Sequence, residues 1–218
     1  MILVALALRW YTVGRPPWAA LYETAALLAL LAGLAAAIAH RKSEPAPLGI
    51  ALAALSILLS IFSAYLWGPT AALPEALESG WLYIHVPVVV LAYGLFAVSA
   101  MASVAYIYLH LKDGKRRDSL DRLDRIEYRA ALAGLVLLIT GTVMGALWAK
   151  AAWGSYWTWD PKETWALVTI IIYTLYAGLR WKGMKGEDAA YLSLLGLLSV
   201  IFTYLGVSYL IPGLHSYA

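Results

Sequence analysis

Cysteine is absent from the 218 residues, which excludes disulfides, thiolate nucleophiles and every zinc or iron–sulfur centre that needs sulfur from the chain. Charge is nearly as scarce. Asp, Glu, Lys and Arg make up 13% of the chain against 62% hydrophobic residues, far from the balance of an ordinary soluble domain. Histidine occurs only four times, so any metal chemistry draws on a short list of imidazoles and carboxylates. A basic n-region and a small-residue cleavage site are both missing from "MILVALALRWYTVGRPPW", so no cleaved signal is expected and insertion is assigned to the spans themselves. The net charge of +3 does not point to nucleic acid, because the basic residues fall in short loops where membrane topology accounts for them.

What is present in abundance is apolar sequence in runs of about 20 residues, the length an α-helix needs to cross the hydrocarbon core. The short alternating pattern of an outer-membrane barrel is not there. The expected fold is all-α: a polytopic transmembrane helical bundle, one domain over 1–218, with six full spans at 19–39, 47–66, 81–110, 128–149, 164–181 and 188–210. Residues 1–12 are apolar but short, and read either as the end of a further span or as a half-helix in the interface.

The loops at 40–44, 110–129 and 180–188 hold twelve of the sixteen Lys and Arg residues. The positive-inside rule places them in the cytoplasm and puts segments 10–18, 67–80, 150–163 and 211–218 outside. Tryptophan sorts the opposite way. Trp10, Trp18, Trp67, Trp81, Trp148, Trp153, Trp157, Trp159 and Trp165 fall at the outer level, and only Trp181 at the inner one. An anchoring belt populates both interfaces, so the asymmetry asks for a further use of aromatic surface on the outer face.

His40 and His110 end spans on the cytoplasmic side beside Arg41 and Lys112, as ordinary boundary residues do. His85, in "GWLYIHVPVVV", and His215, in "IPGLHSYA", share the tryptophan-rich face. An imidazole inside an apolar span is costly and usually functional. Two imidazoles from separate helices can ligate one iron from opposite sides, whereas zinc wants three or four ligands and no H-E-x-x-H motif supplies them. Haem would also use aromatic walls and, for its propionates, cations such as Arg15, Lys150 or Lys162.

Between these histidines runs "WGSYWTWDPKETWAL", residues 153–167. Asp160 reads as a helix N-cap, Pro161 as N1 and Glu163 as N3 of a capping box. Trp153 and Trp157 share a face if 150–158 is helical, with Trp159 turned elsewhere, and Gly154 allows a flat ligand to come close. A transporter would instead place ionisable groups near the midplane, and runs such as "LALLAGLAAA" and "GLVLLITGTVMG" contain none that are charged.

This stretch resembles the tryptophan-rich WWD signature of haem-handling proteins in cytochrome c assembly, in the CcsA (ResC) form rather than the related CcmC and CcmF forms. "LRWYTVGRPPWAALYETAALLA", "ESGWLYIHVPVVVLAYG" and "YLGVSYLIPGLHSYA" extend the resemblance over most of the chain. It implies that His85 and His215 are axial ligands of haem b on the extracytoplasmic face of the plasma membrane. It further implies that Trp153, Gly154, Trp157, Trp159, Asp160 and Trp165, within the WWD segment 148–165, hold the macrocycle. The implied activity is haem presentation for covalent attachment to a CxxCH apocytochrome c, as a component of a haem lyase complex; the alternative is CcmC-like delivery to a haem chaperone. Implied partners are haem, apocytochrome c, a CcsB (ResB)-like membrane protein or that chaperone, and membrane lipid. A further intramembrane histidine common in this branch is Gly178 here, and the frequent Gly-His of the outer loop is Gly14-Arg15.

Overall fold

The structure, a computed structural model, describes residues 2–68, 79–113 and 116–211. All regular structure among the described residues is helical: α1 (Ile2–Val13), α2 (Leu21–Arg41), α3 (Ala46–Tyr65), α4 (Leu82–Asp113), α5 (Arg117–Trp153), α6 (Pro161–Trp181) and α7 (Glu187–Ile201). A π-helical turn (Phe202–Gly206) joins α7 to α8 (Val207–Leu210) without a break in the rod. Five rods are long and apolar enough to cross a membrane: α2, α3, α4, α5 and the continuous Glu187–Leu210. The protein is a multi-pass helical membrane bundle. Five of the six expected spans are met by these rods; the sixth, α6, has the length but mixes Thr, Tyr and Trp with its aliphatic residues and carries charge at both ends.

One expectation gives way, at 110–129. The charged stretch is not a loop beyond Arg117 but the first turns of α5. Its acidic and basic residues alternate at helical spacing, while Leu120 and Leu123 turn inward against Ala102, Ala105 and Leu109 of α4. A surface helix with one apolar stripe is the stable outcome of that pattern.

The core is built around α4, whose Ala92, Phe96, Ser99, Ala100, Ala102 and Ser103 are wholly buried. Small residues at this spacing let neighbouring backbones approach, the main source of helix adhesion where lipid removes the hydrophobic drive. Phe96 stacks on Tyr173 of α6, ring centroids 3.8 Å apart. Gly196 of α7 makes room for the same tyrosine, since a Cβ there would lie 2.6 Å from its ring. Ser99 hydrogen-bonds Ser193 at 2.9 Å and donates to the Glu127 carbonyl at 3.0 Å, joining α4, α7 and α5.

The α2, α4 and α6 starts share one end of the bundle with the α3, α5 and α8 ends, as the Ser63–Tyr22, His85–Gly141 and Lys162–Ser208 contacts show. Trp18 donates its indole N–H to the Leu82 carbonyl (3.0 Å) and packs edge-on against Trp10. Trp67 lies against Tyr22, and Trp165 against Phe202. At the opposite end Arg180 grips Asp124 with two guanidinium N–H groups at 2.6 and 2.7 Å, and Asp124 also accepts from the Gly186 amide at 3.0 Å. That bidentate pair clamps α5, α6 and the α6–α7 turn.

Candidate functional site

Two adjoining clefts open at the tryptophan end. The larger, about 920 Å³ counting space open to its surroundings, is walled by Trp18, Leu82, His85, Trp148, Trp153 and Tyr204. Its neighbour, about 670 Å³, has Trp157, Tyr156 and Glu163 in its wall, and the two share His85, Trp148, Trp153, Tyr93 and Lys162.

His85 sits on the first turn of α4 and is half-buried. Its Nδ1 lies 2.9 Å from the Gly141 carbonyl oxygen of α5. A carbonyl can only accept, so Nδ1 is the donor in this contact, the kind of backbone brace that holds a metal-ligating imidazole from behind. The ring lies close along α5: a Cβ at Gly145 would sit 2.9 Å from its Cε1. Trp148, one turn on, meets the imidazole edge-on at 5.6 Å. His215, the other proposed ligand, lies outside the described residues.

The WWD segment differs in form from a surface helix. Helix α5 stops at Trp153, and Gly154 caps it in the left-handed conformation (φ 79°) with its N–H on the Lys150 carbonyl. Residues 155–160 then run without helix, so the i, i+4 reasoning for Trp153 and Trp157 does not hold. Both nonetheless line the second cleft. Trp159 is 68% exposed with φ 58°, its ring perpendicular to that of Trp157 at 5.8 Å. A left-handed non-glycine costs energy and is over-determined here by the cap that follows.

That cap matches the expectation. The Asp160 carboxylate accepts from the Lys162 amide at 2.9 Å, and Glu163 Oε2 accepts from the amides of Asp160 (3.2 Å) and Thr158 (2.8 Å). Glu163 thus ties the loop backbone to the start of α6. Trp165 is absent from both cleft walls. Its ring packs on Phe202 at 4.2 Å, and its carbonyl accepts from Thr169 and Thr203 hydroxyls. Trp165 therefore binds α6 to the π-helical turn, and Gly154 and Asp160 act as backbone supports.

The three candidate cations separate. Arg15 is bound to Glu23 (3.0 Å), and Lys150 donates to the Gly154 carbonyl (2.8 Å) above the Tyr156 ring. Only Lys162 reaches the clefts. Burial lowers the pKa of its ammonium below the usual lysine value, against the opposing pull of Asp160.

Sequence reasoning missed Glu23, a carboxylate only 1% exposed at the third position of α2. It accepts from Arg9, Arg15 and the amides of Ala19 and Ala20, while Arg9 lies over the Tyr22 and Trp67 rings. An acid at the head of an otherwise apolar run was the available signal. Tyr204 and Ser208 were also missed; they carried no pattern of their own. Among the described residues no three His, Asp or Glu side chains gather as a metal centre.

A membrane bundle with a histidine- and tryptophan-walled cleft at one end defines the class, and the family follows from comparison. The family model "Cytochrome C assembly protein" matches residues 18–215, and the chain belongs to that family, in its CcsA branch. The cytochrome c biogenesis protein CcsA of Chlamydomonas reinhardtii is 34% identical over 233 residues, covering 100% of this chain and 65% of the relative. That of Guillardia theta is 33% identical over 251 residues, covering 99% and 81%. That of Prochlorococcus marinus (strain MIT 9303) is 32% identical over 250 residues, covering 97% and 79%. The chain thus spans about two-thirds to four-fifths of the length of these relatives.

Proposed function

We propose that the protein acts in cytochrome c biogenesis by binding haem b at the tryptophan end of its bundle and presenting it for covalent attachment to the CxxCH motif of apocytochrome c. His85 supplies one axial ligand and His215 the other, on the extracytoplasmic side of the plasma membrane. Trp148, Trp153 and Trp157 cover the ring; Trp159 projects from the rim. Helix α6 crosses the bilayer with the five apolar rods, shielded by its packing on α5 and α7, which gives a single six-span domain. A CcsB-like membrane protein completes the haem lyase.

The observation that carries this reading is the position of His85, in a wall shared by two aromatic clefts and braced from behind by its Nδ1 contact to the Gly141 carbonyl. Bound haem would supply an iron for the imidazole and a flat apolar face for the indoles. The chain's own part is positional: it orients the ring, excludes water and brings the reacting edge within reach of a partner.

Absorption spectroscopy of the purified protein tests it. A Soret band lost in His85→Ala and His215→Ala supports the reading; no band, or one indifferent to both changes, overturns it. Reconstitution with apocytochrome c, with and without a CcsB-like partner, separates synthesis from delivery. Thioether product in the partnered mixture supports synthesis, and transfer to a haem chaperone without product supports the CcmC-like alternative.

A further inference from the structure

We propose that a groove between the start of α3 and the end of α4, at the opposite end of the bundle from the clefts, binds a phospholipid with an anionic headgroup. The groove measures about 1410 Å³ counting space open to its surroundings, more than either cleft. Its sides are Ile50 and Ala51 of α3 and Val104 of α4. Ala105 and Leu109, both buried, form its floor. Helix α3 turns Leu48 and Leu52 into the core and meets the groove with short Ala46 and Ala51, so a hollow remains between the two helices.

The groove changes character along its length. Val104 lies about 12 Å of helical rise deeper than Lys112, so the apolar wall runs from the interface well into the hydrocarbon. Tyr108 stands between the two levels. Lys112 Nζ donates to the Tyr108 hydroxyl at 3.1 Å and lies 5.4 Å from the centre of its ring, which folds the ammonium back over the mouth of the groove. An ammonium has three donors, and the tyrosine takes one. Arg116 lines the same mouth. Among the described residues of the wall, Lys112 and Arg116 are the only charged ones, and both are positive.

That combination specifies the occupant. A free anion gains nothing from the apolar walls, and a partner helix would need an acid at the level of Lys112. A choline lipid brings its own cation towards two others. A lipid whose headgroup adds no positive charge to its phosphate satisfies both halves: an acyl chain lies along Ile50 and Val104, and the phosphate meets Lys112 and Arg116. The distribution of Lys and Arg assigns this end to the cytoplasmic leaflet, whose surface is negative. A lipid seated there bridges α3, α4 and the approach to α5.

Native mass spectrometry of the purified, delipidated full chain tests the site, with phosphatidylglycerol and phosphatidylcholine of identical acyl chains as titrants. The first phosphatidylglycerol is expected to bind about tenfold more tightly, the scale of two basic residues at a charged membrane surface. Lys112→Gln combined with Arg116→Gln removes that preference by weakening phosphatidylglycerol alone. Arg41→Gln combined with Lys42→Gln, at the same end but outside the groove wall, keeps it. Ala51→Phe fills the groove and weakens both lipids. Thermal melts verify that each variant is folded; the wild-type comparison needs no variant. Equal affinity of wild type for the two lipids, an unchanged preference in folded Lys112→Gln/Arg116→Gln, or equal losses in the two double variants overturns the site. A dimer that shuts lipid out of the groove also overturns it, in favour of a second copy. No haem enters the measurement, so failure here leaves the haem reading standing.

Discussion

Replacing Glu23 by Ala removes a charge that five donors share. Its Oε1 accepts from Arg9 Nε at 3.2 Å and from the Tyr22 hydroxyl at 3.4 Å, and its Oε2 from Arg15 at 3.0 Å and the amides of Ala19 and Ala20 at 2.9 and 3.1 Å. Exposure of the three charged side chains is 1%, 10% and 14% for Glu23, Arg9 and Arg15, so water cannot take over the vacated role. Deleting one partner of such a buried arrangement costs about 3–5 kcal/mol. The lower end, about 3 kcal/mol, is expected, because Arg9 retains the faces of Tyr22 and Trp67, each worth roughly 0.5–1 kcal/mol. Glu23→Gln keeps the shape and loses the charge, and is expected to cost about 1.5–2 kcal/mol. Denaturant unfolding in micelles, followed by tryptophan fluorescence, measures both. A cost below about 1 kcal/mol for Glu23→Ala, or equal costs for the two variants, would refute the view that a buried carboxylate fixes α1 to α2. Haem affinity should fall with Glu23→Ala as well, since Ala19 and Ala20 form part of the larger cleft's wall.

Gly145→Ala would place a methyl 2.9 Å from His85 Cε1 and displace the imidazole; a loss of about tenfold in haem affinity is expected by Soret titration at unchanged melting temperature, in keeping with the sensitivity of site geometry. Trp165→Ala is expected to lower stability by about 3 kcal/mol, as its contact is with Phe202, while haem affinity of the folded protein stays within about threefold of wild type; unfolding and titration on the same preparation check this. Trp159→Gly relieves a left-handed tryptophan (φ 58°) and should not destabilise the fold, with a gain of up to about 1 kcal/mol. Haem binding should persist while transfer to apocytochrome falls, which a thioether assay would read.

Helix positions were legible because runs of about 20 apolar residues admit few alternatives in lipid; α2 and α3 are displaced from their expected bounds by no more than two residues. The cap at Asp160 and Glu163 was equally legible, since it is local and its residue types are specific. What could not be read was any arrangement set by distant partners. Trp153 and Trp157 reach one cleft through a left-handed turn at Gly154, not through helical spacing, and a glycine in sequence does not announce the sign of its φ. Trp165 looked like its neighbours in the signature, yet its surroundings are fixed by a π-helical turn 37 residues further on, at Phe202. Arg15, Lys150 and Lys162 were indistinguishable as sequence; a buried Glu23 and a helix C-terminus claim the first two.

The Tyr204 hydroxyl meets Thr24 at 2.8 Å and donates to the Leu21 carbonyl at 3.0 Å, across about 180 residues of chain. Both tyrosine and threonine stand in the wall of the larger cleft, so that wall does not exist until the last apolar rod has been inserted beside the first. A half-synthesised chain in the bilayer has His85 and the WWD loop but no enclosure. Enclosure of the larger cleft is thus a long-range property, closed by a contact between the Glu187–Leu210 rod and α2 and not by the segment that carries the tryptophans.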